Sequence, residues 1–321
     1  MRSLRIWSWL SMSAVARALR VAGVAFGVVL LVVGPGAAQP SGNDGVIGVQ
    51  VTDSADQVRR LWTEERIKQA LKNPMLPIRG GEPKLHDSVP ADDEIRIAPP
   101  SNPASPATPA PLRLLPRKPV GAPSCPVTRY EWSYDTNNRE YPQRVVGVLF
   151  FEDVAGSPFV CSASLVNKRL LLTAGHCVAS GNGQWHKNFM WAPGYLNGDR
   201  PFGEAFGESV LTFPQWFNSH DFSFDVAFMI LTEPRGEELG WLGLTTGGAP
   251  DSRNWRQNGY PAAPPYDGSK LAINVSSYGA RDCGFGGPCT VAVGSPLTGG
   301  SSGGPWINQQ QGDNFANGVN S

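Results

Sequence analysis

Three short stretches of this chain carry residue types that can do chemistry together. The first is Leu170-Leu171-Leu172-Thr173-Ala174-Gly175-His176-Cys177, an apolar strand that ends in small residues and delivers an imidazole at its tip. Imidazole is the side chain best suited to move protons near neutral pH. The second is Asp225-Val226-Ala227-Phe228-Met229-Ile230-Leu231, one acid at the head of an otherwise apolar strand. A carboxylate buried there is costly unless it is hydrogen-bonded or paired, and a histidine ring would satisfy it. The third is Thr298-Gly299-Gly300-Ser301-Ser302-Gly303-Gly304-Pro305. Glycines on both sides of a serine let the backbone turn sharply, aim amide N–H groups at one spot and admit a substrate close to the main chain. A Gly/Ser run alone reads as a flexible loop, but the rigid Pro305-Trp306 and the Ile307 that follow fit a linker poorly.

From about Tyr130 onward the sequence supplies elements that can hold these stretches. Arg144–Phe151, Phe159–Val166, Leu170–Thr173, Val226–Leu231, Leu271–Ser277 and Thr290–Val293 are short apolar, β-rich runs separated by Gly, Asn and Pro turns. That punctuation predicts a β-barrel or sandwich, and helical periodicity is absent from the stretch. Cys161 lies sixteen residues before Cys177, across an expected hairpin. In an exported protein the two thiols would pair and pin the loop of His176.

The first part of the chain reads differently. Arg2, Arg5, Arg17 and Arg20 precede a 13-residue apolar run, Val21–Val33, followed by the small residues Gly36, Ala37 and Ala38. This predicts a signal peptide over 1–38, cleaved after Ala38; an uncleaved anchor is the alternative. Residues 39–98 read as a pro-region. Ser54-Ala55-Asp56-Gln57 fits a capping box, and Val58, Leu61, Trp62, Ile67, Ala70 and Leu71 recur at helical spacing until Asn73-Pro74. One helix over about 55–72 is expected, either docked on the domain downstream or solvated in a tether, since a single short helix does not fold alone. Pro99 to Pro126 holds ten prolines in 28 residues, an extended linker.

Composition narrows the function. Lys plus Arg and Asp plus Glu are 27 each, so no basic excess marks a nucleic-acid binder. No apolar run reaches the ~18 residues of a spanning helix, which leaves contact with a membrane to the signal peptide during export. Hydrophobic residues make up 41% with ten Trp, enough for a core.

The blocks Phe159-Val160-Cys161-Ser162-Ala163-Ser164-Leu165-Val166 and Leu172-Thr173-Ala174-Gly175-His176-Cys177, then Asp225-Val226-Ala227 and Gly300-Ser301-Ser302-Gly303-Gly304-Pro305, resemble the trypsin-like (chymotrypsin-fold) serine peptidases. The order His, Asp, Ser is that of the chymotrypsin group and not of subtilisins or α/β-hydrolases. The resemblance covers about 145 to 321. The short Asp-to-Ser interval and Ser301 are similar to the secreted bacterial, glutamyl-endopeptidase-like branch, as is Trp62-Thr63-Glu64-Glu65-Arg66 to its pro-segments. It implies an all-β domain over 127–321 with two six-stranded antiparallel barrels, an N-barrel over about 140–235 and an incomplete C-barrel over about 236–321. It implies a secreted or periplasmic endopeptidase made as a precursor, acting on protein or peptide substrates, with no cofactor and no metal. Ser302 is then the nucleophile, His176 the base, Asp225 its partner, and the N–H groups of Gly300 and Ser302 the oxyanion hole.

Competing residues are weighed against these. His186 and His220 read as surface or loop residues, Asp221 is the rival acid four positions before Asp225, and Asp199 is remote. Ser301 neighbours the nucleophile, but the Gly-Gly-Pro that follows Ser302 sets the register. Cys283 and Cys289 bracket Gly-Phe-Gly-Gly-Pro and read as a local disulfide, which leaves Cys125 odd.

The chain departs from the family at several points. Ser301 stands where animal members carry an Asp that pairs with the new N-terminus, so activation here is not expected to use that ion pair. Pro296, six residues before Ser302, replaces the acidic residue of trypsins, and Asn320 stands near the His of glutamyl endopeptidases, so neither preference is implied. The sequence stops 19 residues after Ser302, and a fragment of a longer protein with an unclosed second barrel is expected. The rival function is a catalytically silent homologue used as a binding module; such proteins lose one of the three residues, and here all three are present.

Overall fold

In the computed structural model of the chain, the described residues are 45–75, 95–103, 130–135, 137–248, 254–310 and 313–321, with the two-residue strands β1 (Arg5–Ile6) and β3 (Leu85–His86). Apart from β1, the expected signal peptide lies outside them, as do residues 104–126 of the expected linker, Cys125 included. No helix among the described residues is long and apolar enough to cross a membrane.

Strands β6 (Val146–Glu152), β7 (Pro158–Leu165), β8 (Leu170–Thr173), β9 (Lys187–Pro193), β10 (Ala205–Thr212) and β11 (Ala227–Leu231) pair antiparallel in the order β11-β8-β7-β6-β9-β10. Strand β10 returns to β11, with Val210 opposite Met229, and closes a six-stranded barrel. β9 meets β10 only at Ala205–Phe206; β2 (Ile47–Gln50) pairs with Ser209–Thr212 and so continues the wall where β9 stops.

The continuous apolar run of β6 has a physical reason. Side chains on a strand alternate between faces, so an unbroken apolar run needs cover on both. Leu149 and Phe151 join a core with Cys161, Ala163, Leu165, Phe189 and Trp191 inside the barrel. Val146, Val148 and Phe150 turn to a second core with Val160, Met190 and Phe206. Its cover is α1 (Ala55–Leu61) and α2 (Glu64–Leu71), which contribute Val58, Trp62, Ile67 and Ala70.

The single helix expected over 55–72 is therefore two. The capping box at Ser54 and Gln57 starts α1, as the sequence indicated. Trp62 ends it because its indole Nε1–H donates to Asn188 O (2.7 Å) while its ring packs 5.5 Å from Phe150. Thr63 then caps a new helix, its Oγ1 accepting from the Arg66 N–H. Arg66 forms an ion pair with the buried Glu152 and donates to Gly156 O, and Asn73 Nδ2 donates to Pro158 O (3.0 Å). This segment is seated on the barrel and is no tether.

The second sheet has the order β4-β12-β18-β17-β13-β14-β5, from β4 (Ile95–Ala98), β12 (Gly243–Thr246), β18 (Asp313–Val319), β17 (Pro305–Gln310), β13 (Asn254–Gly259), β14 (Ala272–Ser277) and β5 (Tyr130–Tyr134). Only β12 and β18 run parallel. Among the described residues no pairing joins β4 to β5. The first residues assigned to the linker are bound to the domain: Trp241 Nε1 donates to Pro99 O (2.9 Å), and Arg144 Nη2 donates to Asn102 Oδ1 (2.6 Å). A hairpin of β15 (Ala280–Asp282) and β16 (Thr290–Ala292) completes the β structure, with β1 and β3 at its edges. Two short helices, α3 (Pro214–Ser219) and α4 (Gly236–Leu239), interrupt a region where sequence periodicity showed none. Six residues or fewer are too short to display a period.

Candidate active site

Strand β8 ends at Thr173, and a 3₁₀ turn, Gly175–Cys177, presents His176. The Cys161–Cys177 disulfide ties this turn to β7, as expected from the spacing. Asp225 follows the 3₁₀ turn Phe222–Phe224 and is fully buried. Its Oδ1 accepts from the backbone N–H of His176 (2.7 Å), and its Oδ2 lies 2.7 Å from His176 Nδ1. A carboxylate only accepts, so Nδ1 carries the proton and Nε2 is left as a lone-pair nitrogen. Nε2 is buried without a hydrogen-bond partner. Trp216 on α3 backs the ring at 6.1 Å and is itself fixed by its Nε1 donating to Ala179 O (3.0 Å).

Ser302 comes from the turn between the hairpin β15–β16 and β17, and it is 2% exposed. Its carbonyl oxygen accepts from Ser162 N (2.7 Å) and touches Cys177 Sγ at 3.8 Å, next to the histidine. Gly303 has φ of 80°, and a Cβ there would run into Thr173 Oγ1 and Ser162 O. The serine turn is thus pressed against the strand end that carries His176. Gly300 has φ of 93°. Ser301 N donates to Thr298 O (3.1 Å), whereas among the described residues the amides of Gly300 and Ser302 find no backbone acceptor. Two unengaged N–H groups flanking an engaged one are the donor set an oxyanion needs.

The rival residues are elsewhere. Asp221 caps the 3₁₀ turn, its Oδ1 accepting from Ser223 N (2.9 Å). Asp199 pairs with Arg139 (3.1 Å) on the surface. His220 is exposed and meets Trp216 edge to face at 4.8 Å. His186 lies in a loop, as expected, but away from the surface: it is 5% exposed, stacked on Phe151 at 5.0 Å, and neither ring nitrogen has a hydrogen-bond partner among the described residues. Burial pushes its pKa down to about 4. Ser301 Oγ donates to Thr298 O (2.7 Å), so this side chain holds the turn locally.

Ser321 escaped the sequence reading, and Asn320 was weighed only as a specificity position. Ser321 Oγ donates to Asp225 Oδ2, beside the His176 bond, and Asn320 bonds the serine turn on both sides. Neither carries a compositional signal; each acts because β18 runs beside the turn. The expected Cys283–Cys289 disulfide is present. It anchors the loop whose Phe285 ring lies 5.2 Å from Phe222, three residues before Asp225. Potential metal donors of Cys161, His176 and Cys177 lie within 4.8 Å of one another, but both sulfurs are spent in the disulfide and Nδ1 faces Asp225, so the set does not fit a metal.

A closed barrel, a second sheet and a buried His–Asp pair fit the chymotrypsin-like fold of serine-type peptidases. Residues 136–321 match the family model described as Trypsin, more than half of the sequence, and the chain belongs to the trypsin family. The extracellular metalloprotease of Bacillus subtilis (strain 168) is 32% identical over 90 residues, 28% of this chain and 29% of that protein, so the match spans under a third of that relative. Protease Anisep from Arthrobacter nicotinovorans is 32% identical with a TM-score of 0.49, over 57% of this chain and 85% of its own. The thermostable serine protease AL20 from an extremophilic microorganism is 32% identical with a TM-score of 0.45, over 54% and 82%.

Proposed function

We propose that the chain is a secreted serine endopeptidase, made as a precursor, that cleaves peptide bonds through His176, Asp225 and Ser302. The single observation that carries the reading is the 2.7 Å contact from His176 Nδ1 to Asp225 Oδ2, which commits the opposite nitrogen to accepting a proton. In this reading Ser302 Oγ attacks the peptide carbonyl carbon and its proton passes to Nε2. The amides of Gly300 and Ser302 hold the oxyanion of the tetrahedral intermediate. His176 then protonates the leaving amine, the C–N bond breaks and an acyl-enzyme remains. Water, deprotonated by His176, attacks the ester, releases the acid product and restores the serine. Asp225 stays ionised throughout and stabilises the imidazolium.

Export is supported by the apolar run at the N-terminus, preceded by four arginines, and by two disulfides, which persist in oxidising compartments. The precursor reading is supported by the fit of residues 45–75 to the outer face of the barrel. This chain's own N-terminal segment is the first partner of the domain, and protein or peptide substrates the second. Ser302→Ala tests the function. The unaltered protein is expected to take up one fluorophosphonate and hydrolyse casein, and the variant to do neither. Equal behaviour of the two, or a probe that labels another residue, overturns the assignment.

A further inference from the structure

Asn320 sits just past the end of β18 and is 1% exposed. Its hydrogen bonds fix its orientation without ambiguity, because indole N–H only donates and carbonyls only accept. Oδ1 accepts from Trp306 Nε1 (2.8 Å), and Nδ2 donates to Ser301 O (2.9 Å) and Asn258 O (2.9 Å). The backbone joins in, with Asn320 N donating to Gly304 O (2.9 Å) and Asn320 O accepting from Gly303 N (2.7 Å). Both amide protons are therefore committed, which leaves no donor of this side chain for a substrate.

The bond to Ser301 O has a consequence one atom further on. A trans peptide is planar, with its C=O and N–H pointing to opposite sides. Holding the Ser301 carbonyl towards Asn320 therefore turns the Ser302 N–H away from Asn320. The next donor is treated alike: Gly299 O accepts from Ala262 N (2.7 Å), which turns the Gly300 N–H outward. Ser301 O also accepts from Gly304 N (3.0 Å), a bond inside the turn. The Asn320 amide ties that turn to β13 and β17.

We infer that Asn320 is a positioning residue that fixes the Ser301–Ser302 peptide and so presets the oxyanion donor of Ser302. This deepens the peptidase reading and rests on it. Aspartate has the same shape but offers an acceptor where two carbonyls need donors, so the residue type matters beyond its size.

The test compares the full chain with Asn320→Ala and Asn320→Asp on a short chromogenic peptide, with a peptide aldehyde as the tetrahedral mimic. Because the bond within the turn survives, kcat is expected to fall about tenfold in each variant, short of the ~10²–10³ of losing an oxyanion donor outright. KM should stay within about twofold, affinity for the aldehyde should weaken in step with kcat/KM, and the pH profile of kcat should keep its shape. A merely structural role would lower the melting midpoint and the active fraction while leaving kcat per titrated site intact, and that result overturns the inference. If Asn320→Ala does not fold, the isosteric Asn320→Asp carries the comparison. If the unaltered chain takes up no fluorophosphonate, the peptidase reading itself fails; if it does and both variants match it, the positioning role alone fails.

Discussion

The two halves of the molecule fill their interiors with opposite chemistry. Inside the first barrel Leu149, Phe151, Leu171, Phe189, Trp191 and Met229 meet, and contacts among them have little directionality. The second sheet buries Gln257, Asn258, Asn274, Ser276, Asn317 and Asn320 beside Trp255 and Trp306. There the groups are joined by directed bonds, such as Gln257 Nε2 to Ser276 Oγ (2.8 Å) and Asn317 Nδ2 to Thr245 Oγ1 (3.2 Å). The apolar half seats the His176–Asp225 pair by packing around it. The amide-rich half holds the Ser302 turn by bonds that set peptide orientation. Packing tolerates small shifts of a side chain, whereas a donor aimed at an oxyanion does not.

The largest effect on stability should come from the apolar half. Phe151 is fully buried, stacked between Phe159, Phe189 and His186 with centroids 5.0–6.1 Å away. Phe151→Ala should cost about 3–5 kcal/mol of folding free energy, lost transfer plus cavity, read from urea melts. A loss under about 1 kcal/mol would mean that the barrel collapses around the gap and is not rigidly packed.

The next effect sharpens the contrast by titration. His186 is an uncharged imidazole among aromatics, and burial is the main reason its pKa falls from 6.5 to about 4, while contact with the His176 backbone and the Asp153 carboxylate oppose it. The folded state therefore binds fewer protons than the unfolded state between these values. Stability linked to His186 is intact above about pH 6.5 and is lost as pH falls towards about 4, by about 3 kcal/mol in all. Melts at pH 7 and pH 4.5 should show that loss in the unaltered chain and much less in His186→Gln. An equal loss in both would assign the acid sensitivity to other groups.

The same contrast explains what the sequence disclosed. All six runs read as strands are strands, among them β6, β7 and β8 of the first barrel, because an apolar strand between turn residues is distinctive. β13, Asn254–Gly259, was passed over because its polar Gln257 and Asn258 are buried and hydrogen-bonded, a pattern that resembles loop composition. β9 and β10 were missed although apolar: Gly207 and Glu208 interrupt β10, and β9 opens on two polar residues. In the site, His176 and Asp225 were legible from the strands that bear them. The contacts of Ser321 and Asn320 were not, since they depend on where β18 lies relative to a turn of distant sequence. The burial of His186 was not legible, because nothing in its loop sequence tells that Phe151 covers it.

The smallest effect tests whether the amide interior acts as a unit. Asn274 Nδ2 donates to Gln257 Oε1 and to Gly294 O (3.1 Å), and Ser276 Oγ exchanges bonds with the same Gln257 amide. Gln257→Leu strands the Asn274 and Ser276 partners in a buried site and should cost about 1–3 kcal/mol. Asn274→Leu alone should cost a similar amount for the same reason. Together the two changes remove donor and acceptor at once and replace them with apolar volume, so the double variant should lose less than the two singles combined, with a coupling of about 1–2 kcal/mol in urea melts. Strict additivity would mean that these amides act independently. The second half would then be held, like the first, by burial, and the directed scaffold behind the Ser302 turn would reduce to the bonds that Asn320 makes itself.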